Sequence, residues 1–276
     1  MMSVKSASKS ATDRVLIDID QGIATVTLNR PDKYNGLDMP MFDAITRAAK
    51  RLKKERQVRA IVLHGAGDAF CSGLDVKTVS QNPVNFLRLL AKPGRKISNL
   101  AQDVGYLWRD VPAPVIAATH GYCYGGGFQI ALGADFRFTT PSCEFSIMES
   151  KWGLIPDMSL TVTLRELIAI DLAKELTMTA RTFNGEEAKA MGLVTRVSRD
   201  PLAEAYEFAR ELAARSPDAI AASKLLFNRT WSATDKVALD WETRLQKKII
   251  ARTNQRIAVA KNTSEPDRAY QDRRSL

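Results

Sequence analysis

The sequence holds few of the residues that build metal centres or disulfide frameworks. Its 276 residues include three cysteines and two histidines. The cysteines are too irregularly spaced for a disulfide framework or a zinc site, and neither histidine has neighbours typical of a ligand set. They are Cys71, Cys123, Cys143, His64 and His120. We therefore expect no metal centre, and a reducing, cytoplasmic location.

Long apolar runs are also missing. No stretch approaches the roughly 18 consecutive apolar residues of a membrane-spanning helix, so no membrane span is expected. An apolar content of 45% and a charged content of 26% are ordinary for a globular protein. A chain of this length can also bury a full core.

The charge is strongly basic, with a net value of +9. Basic residues cluster at 50–56 and again over 247–256, but neither cluster is interleaved with aromatic residues. Single-stranded nucleic acid binding typically combines basic grooves with aromatic stacking residues, so a nucleic acid partner is not expected. The alternatives are a phosphorylated small molecule, or lysines that simply cover solvated helix faces.

Two glycine-bearing loops stand out, each placed directly after an apolar run. Residues 70–75 follow the run 60–63, and residues 120–127 follow the run 115–118. Three consecutive glycines before an apolar helix indicate a close backbone approach and free N–H groups at the helix N-terminus. Two such loops can direct two backbone donors at one oxygen, as enzymes do to stabilise an oxyanion. Neither loop fits the dinucleotide or P-loop pattern.

Strand-like and helix-like segments alternate along the first two thirds of the chain. The patterns predict a hairpin over 16–28, a helix over 39–55, a buried helix over 128–133, and strands at 60–64, 115–119, 136–140 and 193–197. This alternation predicts an α/β fold with parallel strands. Residues 76–95 are predicted to be a mobile flap, followed by a helix over 96–109, because proline and glycine interrupt them at 93–94.

The chain is predicted to divide into three parts. Residues 1–13 read as a disordered tail and residues 14–200 as the α/β core. Residues 201–276 are predicted to be helical, with helices over 201–215, 217–228 and 234–262. Apolar residues spread around the last helix indicate packing on the core or on another subunit.

Four segments together resemble the crotonase (enoyl-CoA hydratase/isomerase) superfamily. They are residues 29–37 (NRPDKYNGL), 70–75 (FCSGLD), 114–127 (PVIAATHGYCYGGG) and 180–194 (ARTFNGEEAKAMGLV). The likeness extends over about residues 14–260, and the two glycine loops in this order are highly specific. The resemblance implies a repeated ββα superhelix with a helical C-terminal trimerisation region. It also implies assembly as a homotrimer or a hexamer.

The same resemblance implies a substrate and its binding residues. The substrate is an acyl-CoA thioester, and no cofactor is needed beyond the coenzyme A that the substrate carries. The backbone N–H groups of Leu74 and Gly126 are expected to form the oxyanion hole for the thioester carbonyl. Further substrate-binding residues are expected in the same loops, namely Ser72, Gly73, Asp75 and Gly125. Lys33 and Lys77 lie where relatives place CoA-contacting residues, although both are equally explained as solvated lysines.

The acid–base positions distinguish the subfamilies. Hydratases of this family use two glutamates, and here the first position holds Gln129 while the second holds Glu149. An amide cannot exchange a proton at neutral pH, so hydration by two carboxylates is disfavoured. Gln129 is expected either to hold water or substrate by hydrogen bonds, or to be a packing amide in the buried helix. Glu149 is the predicted main acid and base.

A further carboxylate, Asp157, lies eight residues beyond Glu149. Most family members have glycine at this place, whereas Δ3,5-Δ2,4-dienoyl-CoA isomerases have aspartate there, and they also have aspartate at the position of Gln129. Two carboxylates near one oxyanion hole suffice for isomerisation, because burial and mutual repulsion separate their pKa values. The alternative for Asp157 is a helix N-cap. Glu144 lies off the family pattern and is predicted to be on the surface.

The sequence therefore predicts an enzyme of the enoyl-CoA hydratase/isomerase type, with double-bond isomerisation preferred to hydration. A single glutamate at the position of Glu149 also resembles Δ3-Δ2-enoyl-CoA isomerases, so both isomerase types stay open. Two alternatives remain. One is an enoyl-CoA hydratase, a lyase, that functions despite Gln129, and the other is a non-catalytic member that binds acyl-CoA or RNA.

Overall fold

The computed structural model describes residues 13–275. The strands are β1 (Val15–Asp20), β2 (Ile23–Leu28), β3 (Ala60–Gly65), β4 (Val115–Thr119), β5 (Tyr122–Tyr124), β6 (Phe136–Thr139), β7 (Glu144–Ser146) and β8 (Arg196–Val197). The helices are α1 (Met39–Lys54), α2 (Val76–Val79), α3 (Pro83–Leu90), α4 (Leu100–Asp110), α5 (Gly126–Leu132), α6 (Leu160–Thr163), α7 (Ile170–Thr179), α8 (Gly185–Ala190), α9 (Pro201–Ala213), α10 (Pro217–Thr230), α11 (Asp235–Ile249) and α12 (Thr253–Thr263). Apart from Asp13, the tail predicted over 1–13 lies outside the described residues.

The main sheet has the strand order β1-β2-β3-β4-β6-β8, and β5 and β7 form a second sheet of two strands. The first two strands form the predicted hairpin, and each later pairing in the main sheet is parallel. In the central pair, Val62 lies opposite Ile116. Since neighbouring parallel strands end at the same edge of a sheet, the loops after β3 and β4 leave the sheet side by side. The predicted α/β fold with parallel strands is confirmed.

The central strands are buried on both faces. Along β3, Ile61 and Leu63 pack into the large core cluster beside α1 and α4, whereas Ala60 and Val62 pack on the opposite face against Ala205 of α9. Successive side chains of a strand point to opposite faces, so a strand covered on both sides is apolar throughout. This explains the uninterrupted apolar runs before the glycine loops.

The segment predicted as a flap is more regular than expected. Asn82 caps α3 by accepting a hydrogen bond from Val84 N (3.0 Å), and Pro83 occupies the first helical turn. The next helix begins at Leu100 instead of near residue 96, because Asn99 and Gln102 form a capping box.

The long C-terminal helix predicted over 234–262 is broken. Helix α11 ends at Ile249 and α12 begins at Thr253, and between them Ala251 has φ +59°. A residue in the left-handed region cannot continue a right-handed helix. Within residues 13–275, no helix has the length and apolar character needed to cross a membrane.

A buried cation joins the C-terminal helices to the sheet. Lys224 of α10 has a side chain only 6% exposed, and its Nζ lies 2.7 Å from a carboxylate oxygen of Asp135. It also donates hydrogen bonds to the carbonyl oxygens of Trp108 (2.9 Å) and Ala113 (3.1 Å). Burial lowers the pKa of Lys224, but these three acceptors satisfy the charged ammonium.

Candidate active site

The two glycine loops meet beside the sheet edge. Cys71 and Cys123 pair in an isolated parallel bridge, and Cys71 N donates to Tyr122 O (3.0 Å). A Cβ atom placed on Gly73 would lie 3.5 Å from Gly126 N, so the first loop contacts the start of α5. The side-by-side ends of β3 and β4 bring the loops together.

The N–H groups of Leu74 and Gly126 are free to bind an external oxygen. Leu74 pairs with Leu37 in a parallel bridge that uses the N–H and C=O of Leu37, so Leu74 N is directed away from the bridge. Gly126 opens α5, where the first N–H groups have no partner within the helix. Neither group donates to another part of residues 13–275. Two unpaired donors on adjacent loops are what an oxyanion hole requires.

Glycine is needed in the second loop for two different reasons. Gly125 has φ +48°, in the left-handed region, and a Cβ atom there would lie 3.3 Å from Glu149 Oε1. At Gly127 a Cβ atom would lie 2.4 Å from Cys71 O, closer than any real contact. The triple glycine therefore lets the loops touch and leaves room for the Glu149 carboxylate.

A cavity of about 460 Å³ opens between the two loops. The residues predicted from the sequence that line it are Ser72, Gly73, Leu74, Gly125, Gly126, Glu149 and Asp157. The other lining residues are Phe42, Val76, Phe86, Leu89, Leu90, Ala101, Met148, Trp152, Leu154, Ile155 and Met158. Glu149 and Asp157 are the charged residues of this otherwise mostly apolar wall. The cavity thus suits an apolar group whose reactive end lies near two carboxylates.

Glu149 begins a short 3₁₀ turn, Glu149–Trp152. Its Oε1 accepts a hydrogen bond from Gln129 Nε2 (2.6 Å), and its Oε2 is buried with no hydrogen-bond partner among the described residues. Burial raises the pKa of Glu149, and the Asp157 carboxylate adds to the rise. A carboxylate with one free oxygen and a raised pKa is suited to accept a proton from carbon.

Asp157 is the second titratable group of the cavity, and burial raises its pKa as well. It caps no helix, in contrast to the alternative considered from the sequence. Helix α6 begins only at Leu160, and its N-cap residue is Ser159, which has φ +74° and makes no side-chain capping bond. Asp157 therefore lies on the cavity wall without a structural duty as a helix cap.

Gln129 lies behind Glu149 instead of on the cavity wall. Its side chain is fully buried in α5, where Nε2 donates to Glu149 Oε1 and Oε1 accepts from Met158 N (2.9 Å). The packing-amide interpretation therefore describes it better than direct contact with a substrate, because both ends of the amide are bonded within the chain.

Asp75, Lys33 and Lys77 do not line the cavity. Asp75 caps α2 by accepting hydrogen bonds from Thr78 N (3.0 Å) and Thr78 Oγ1 (2.8 Å), and it pairs with Arg30 Nη1 (2.8 Å). It thus anchors the backbone of the oxyanion loop. Both lysines are exposed, and neither ammonium group forms an ion pair with another residue in the described range.

Two features of the site were not predicted from the sequence. Buried Arg30 pairs with Asp38 (3.5 Å) and with Asp75 (2.8 Å), while Arg14 also pairs with Asp38 (2.8 Å). This chain of ion pairs ties the oxyanion loop to the first hairpin and to α1. The second feature is the bond from Met158 N to Gln129. Arg30 belongs to the family segment 29–37, which was a usable signal, but a backbone N–H has none.

The described residues contain no group of three or more His, Cys, Asp or Glu side chains that could hold a metal ion. Both histidines bond within the chain: His64 Nε2 to Thr27 Oγ1 (2.9 Å) and His120 Nε2 to Gly67 O (2.8 Å).

An α/β sheet whose loops direct two backbone donors into a cavity with carboxylates is the arrangement of an enzyme that stabilises an oxyanion. The family model for enoyl-CoA hydratase/isomerase matches residues 18–272, so the chain belongs to the enoyl-CoA hydratase/isomerase (crotonase) family. The predicted family and its fold are confirmed, and so is the prediction that the chain is an enzyme.

Relatives of the chain carry both activities in their names. Over 228 residues it is 31% identical to the mitochondrial Δ(3,5)-Δ(2,4)-dienoyl-CoA isomerase of Rattus norvegicus, covering 77% of this chain and 68% of that one. Over 257 residues it is 30% identical to enoyl-CoA hydratase EchA19 of Mycobacterium tuberculosis, covering 91% and 90%. The crystal structure of an enoyl-CoA hydratase from Mycobacterium smegmatis is similar with a TM-score of 0.80 and 27% identity, covering 91% and 96%.

Proposed function

We propose that this protein isomerises the carbon–carbon double bond of an enoyl-CoA or dienoyl-CoA thioester. Glu149 is the main acid and base, Asp157 is the second carboxylate, and the N–H groups of Leu74 and Gly126 stabilise the enolate. One observation carries the proposal. Two free backbone donors and two carboxylates with raised pKa values face the same apolar cavity.

In this reaction the thioester carbonyl oxygen accepts hydrogen bonds from both N–H groups. Glu149 removes a proton from a carbon conjugated with the carbonyl, and the electron pair of the C–H bond moves onto that oxygen. A proton then returns to a different carbon, from Glu149 or from Asp157, and the electrons form the double bond at its new position. No atom is gained or lost, so the reaction consumes neither water nor a cofactor.

Hydration is the second candidate, because the relative from Mycobacterium tuberculosis is named an enoyl-CoA hydratase. Two glutamates that handle one water molecule would favour it. Here Gln129 is an amide with 0% exposure, so it neither exchanges a proton nor reaches a water in the cavity. We therefore prefer isomerisation.

We also propose how the acyl-CoA is bound. Residues 72–73 and 125 hold the thioester beside the oxyanion hole, and the acyl group extends along the apolar wall. Lys33 and Lys77 contact phosphate groups of coenzyme A. Their exposed, unpaired ammonium groups and the net charge of +9 support this role.

The products formed from three CoA thioesters test the reaction. Incubation with trans-2-enoyl-, trans-3-enoyl- and 3,5-dienoyl-CoA is expected to yield isomers of unchanged mass, with a change in ultraviolet absorbance as conjugation changes. A product heavier by one water would establish hydration instead. Absence of turnover with tight CoA binding retained would favour a non-catalytic binding protein.

Asp157→Asn tests the second carboxylate. If Asp157 returns the proton, kcat for isomerisation falls by roughly 100- to 10,000-fold. Glu149 acts only when ionised, and repulsion from Asp157 contributes to its raised pKa. Removing that repulsion is therefore expected to move the acid limb of the pH–rate profile to lower pH. An unchanged kcat would show that Glu149 transfers the proton alone.

We further propose that the chain assembles as a homotrimer or a hexamer. Helices α10 and α11 and the turn between them leave large apolar side chains exposed, including Phe227 (55%), Trp231 (66%) and Leu239 (60%). Apolar faces of this kind typically pack on another subunit. Sedimentation equilibrium is expected to give three or six times the mass of one chain, and a monomer at micromolar concentration would contradict the proposal.

We retain the proposal of a cytoplasmic location. Cys71, Cys123 and Cys143 are all free thiols, even though Cys71 and Cys123 lie opposite each other in a bridge. Free cysteines at such close quarters support a reducing compartment.

A further inference from the structure

The Gln129 side chain is held from both ends, and this fixes its orientation. Met158 N can only donate, so the atom 2.9 Å from it is the amide oxygen. The amide nitrogen must then face Glu149 Oε1, at 2.6 Å. The reversed amide would place an oxygen against a carboxylate oxygen and an NH₂ group against an N–H. One bond therefore determines the other.

This arrangement makes the two oxygens of Glu149 different. Oε1 accepts the hydrogen bond from Gln129, whereas Oε2 is buried and accepts none from residues 13–275. A carboxylate anchored at one oxygen has a fixed plane, and only the other oxygen has a lone pair free for a proton. Gln129 also lies one turn from Gly126, so the same helix, α5, carries an oxyanion donor and the anchor of the base.

We propose that Gln129 is a positioning residue that assigns separate roles to the two oxygens of Glu149, with Oε1 as the anchor and Oε2 as the atom that accepts the proton. This inference rests on the proposed function, in which Glu149 is the base. Gln129 itself touches neither substrate nor reacting atoms. It acts by orienting Glu149 and by stabilising the charged form of that carboxylate.

The charges around Glu149 show why an amide is suitable here. Helix α5 carries no ionisable side chain, and Asp157 is the charged group that shares the cavity wall with Glu149. Lys151 is exposed on the turn of Glu149 itself, and α7, which packs against this turn, carries Asp171, Lys174 and Glu175. A carboxylate in place of Gln129 would face Glu149 Oε1 at hydrogen-bond distance, and two such groups cannot both be ionised.

Two substitutions separate orientation from charge. Gln129→Met keeps the side-chain length but removes both hydrogen bonds. We expect its kcat to stay roughly 10- to 100-fold lower even at high pH, with KM little changed, since Glu149 loses an anchoring bond to a charged group. Its acid limb moves to higher pH, because the hydrogen bond that favours the ionised form is gone. Gln129→Glu keeps an acceptor for Met158 N, and repulsion again moves the acid limb to higher pH.

Asn254→Leu is the matched control. Asn254 is also a buried amide that joins a carboxylate to a backbone N–H: its Nδ2 donates to Asp218 Oδ2 (3.1 Å) and its Oδ1 accepts from Gln271 N (2.9 Å). It lies in α12, outside the cavity. Its replacement is expected to lower the melting temperature, as the replacement of Gln129 does, but to leave the pH–rate profile of the enzyme unchanged.

Glu149 is also titrated directly, by infrared difference spectroscopy of the carboxylates against Glu149→Gln, which requires no turnover. A higher pKa of Glu149 in Gln129→Met supports the inference even if no enoyl-CoA is converted, in which case only the proposed function fails. An unchanged Glu149 titration, or an unchanged pH profile and kcat, in the folded variant overturns the inference. If Gln129→Met does not fold by circular dichroism, Gln129→Glu decides by the same two titrations.

Discussion

Replacing Glu149 by glutamine is expected to lower kcat for every enoyl-CoA substrate by roughly 100- to 10,000-fold, while acyl-CoA still binds. The amide has nearly the same shape as the carboxylate, and its oxygen can still accept the hydrogen bond from Gln129 Nε2. The buried position of Oε2, which accepts the proton in our proposal, would then hold a group without basicity. Binding should persist because the apolar wall and the two backbone donors are unchanged.

Steady-state kinetics on the thioester that wild-type enzyme converts, with calorimetry of CoA binding, measure both parts of this prediction. Glu144→Gln is the matched control. Glu144 is exposed in β7, accepts a hydrogen bond from Tyr124 Oη and does not line the cavity, so its replacement should leave kcat unchanged. Activity that survives Glu149→Gln would assign the base to another residue, with Asp157 first in line.

Gly73→Ala is expected to lower kcat by roughly 100- to 1,000-fold, the usual effect of losing one oxyanion-hole donor. Gly73 has φ +88°, and an added Cβ atom would lie 2.8 Å from Tyr124 O and 3.5 Å from Gly126 N. Backbone atoms cannot yield as a flexible side chain does, so the loop of Leu74 and the start of α5 must separate. The two donors would then no longer reach one oxygen.

Gly94→Ala controls for backbone strain alone. Gly94 also has a left-handed φ (+68°), but an added Cβ atom there would meet nothing within 4 Å. Both variants should lose comparable stability from strain, whereas only Gly73→Ala should lose the catalytic rate. Equal kcat values in the two variants, with both folded, would be incompatible with an oxyanion hole formed by Leu74 and Gly126.

Much of the fold and of the cavity could be predicted because both depend on local patterns. Apolar runs before glycine loops indicate strands buried on both faces, and β3 and β4 are such strands. Neighbouring parallel strands then place the two loops side by side, which is why Leu74 and Gly126 could be paired from the sequence.

The features that were missed depend on contacts between distant segments or on weak local signals. The role of Gln129 depends on Met158 N, 29 residues away, and no residue type announces that bond. The break at Ala251 carries no glycine or proline, so helical periodicity continued through it. Asn82 and Pro83 were taken as a polar interruption, although an N-cap residue followed by proline typically opens a helix.

The way α9 covers the sheet bears on how the protein unfolds. Residues Ala205 and Ala209 close one face of the central strands, and Lys224 of α10 is the counter-ion of Asp135. Cutting the chain near residue 200 would expose a continuous apolar face and leave a carboxylate without its partner. The C-terminal helices are therefore a structural part of the core rather than an appendage to it. We expect the whole chain to unfold in a single cooperative transition.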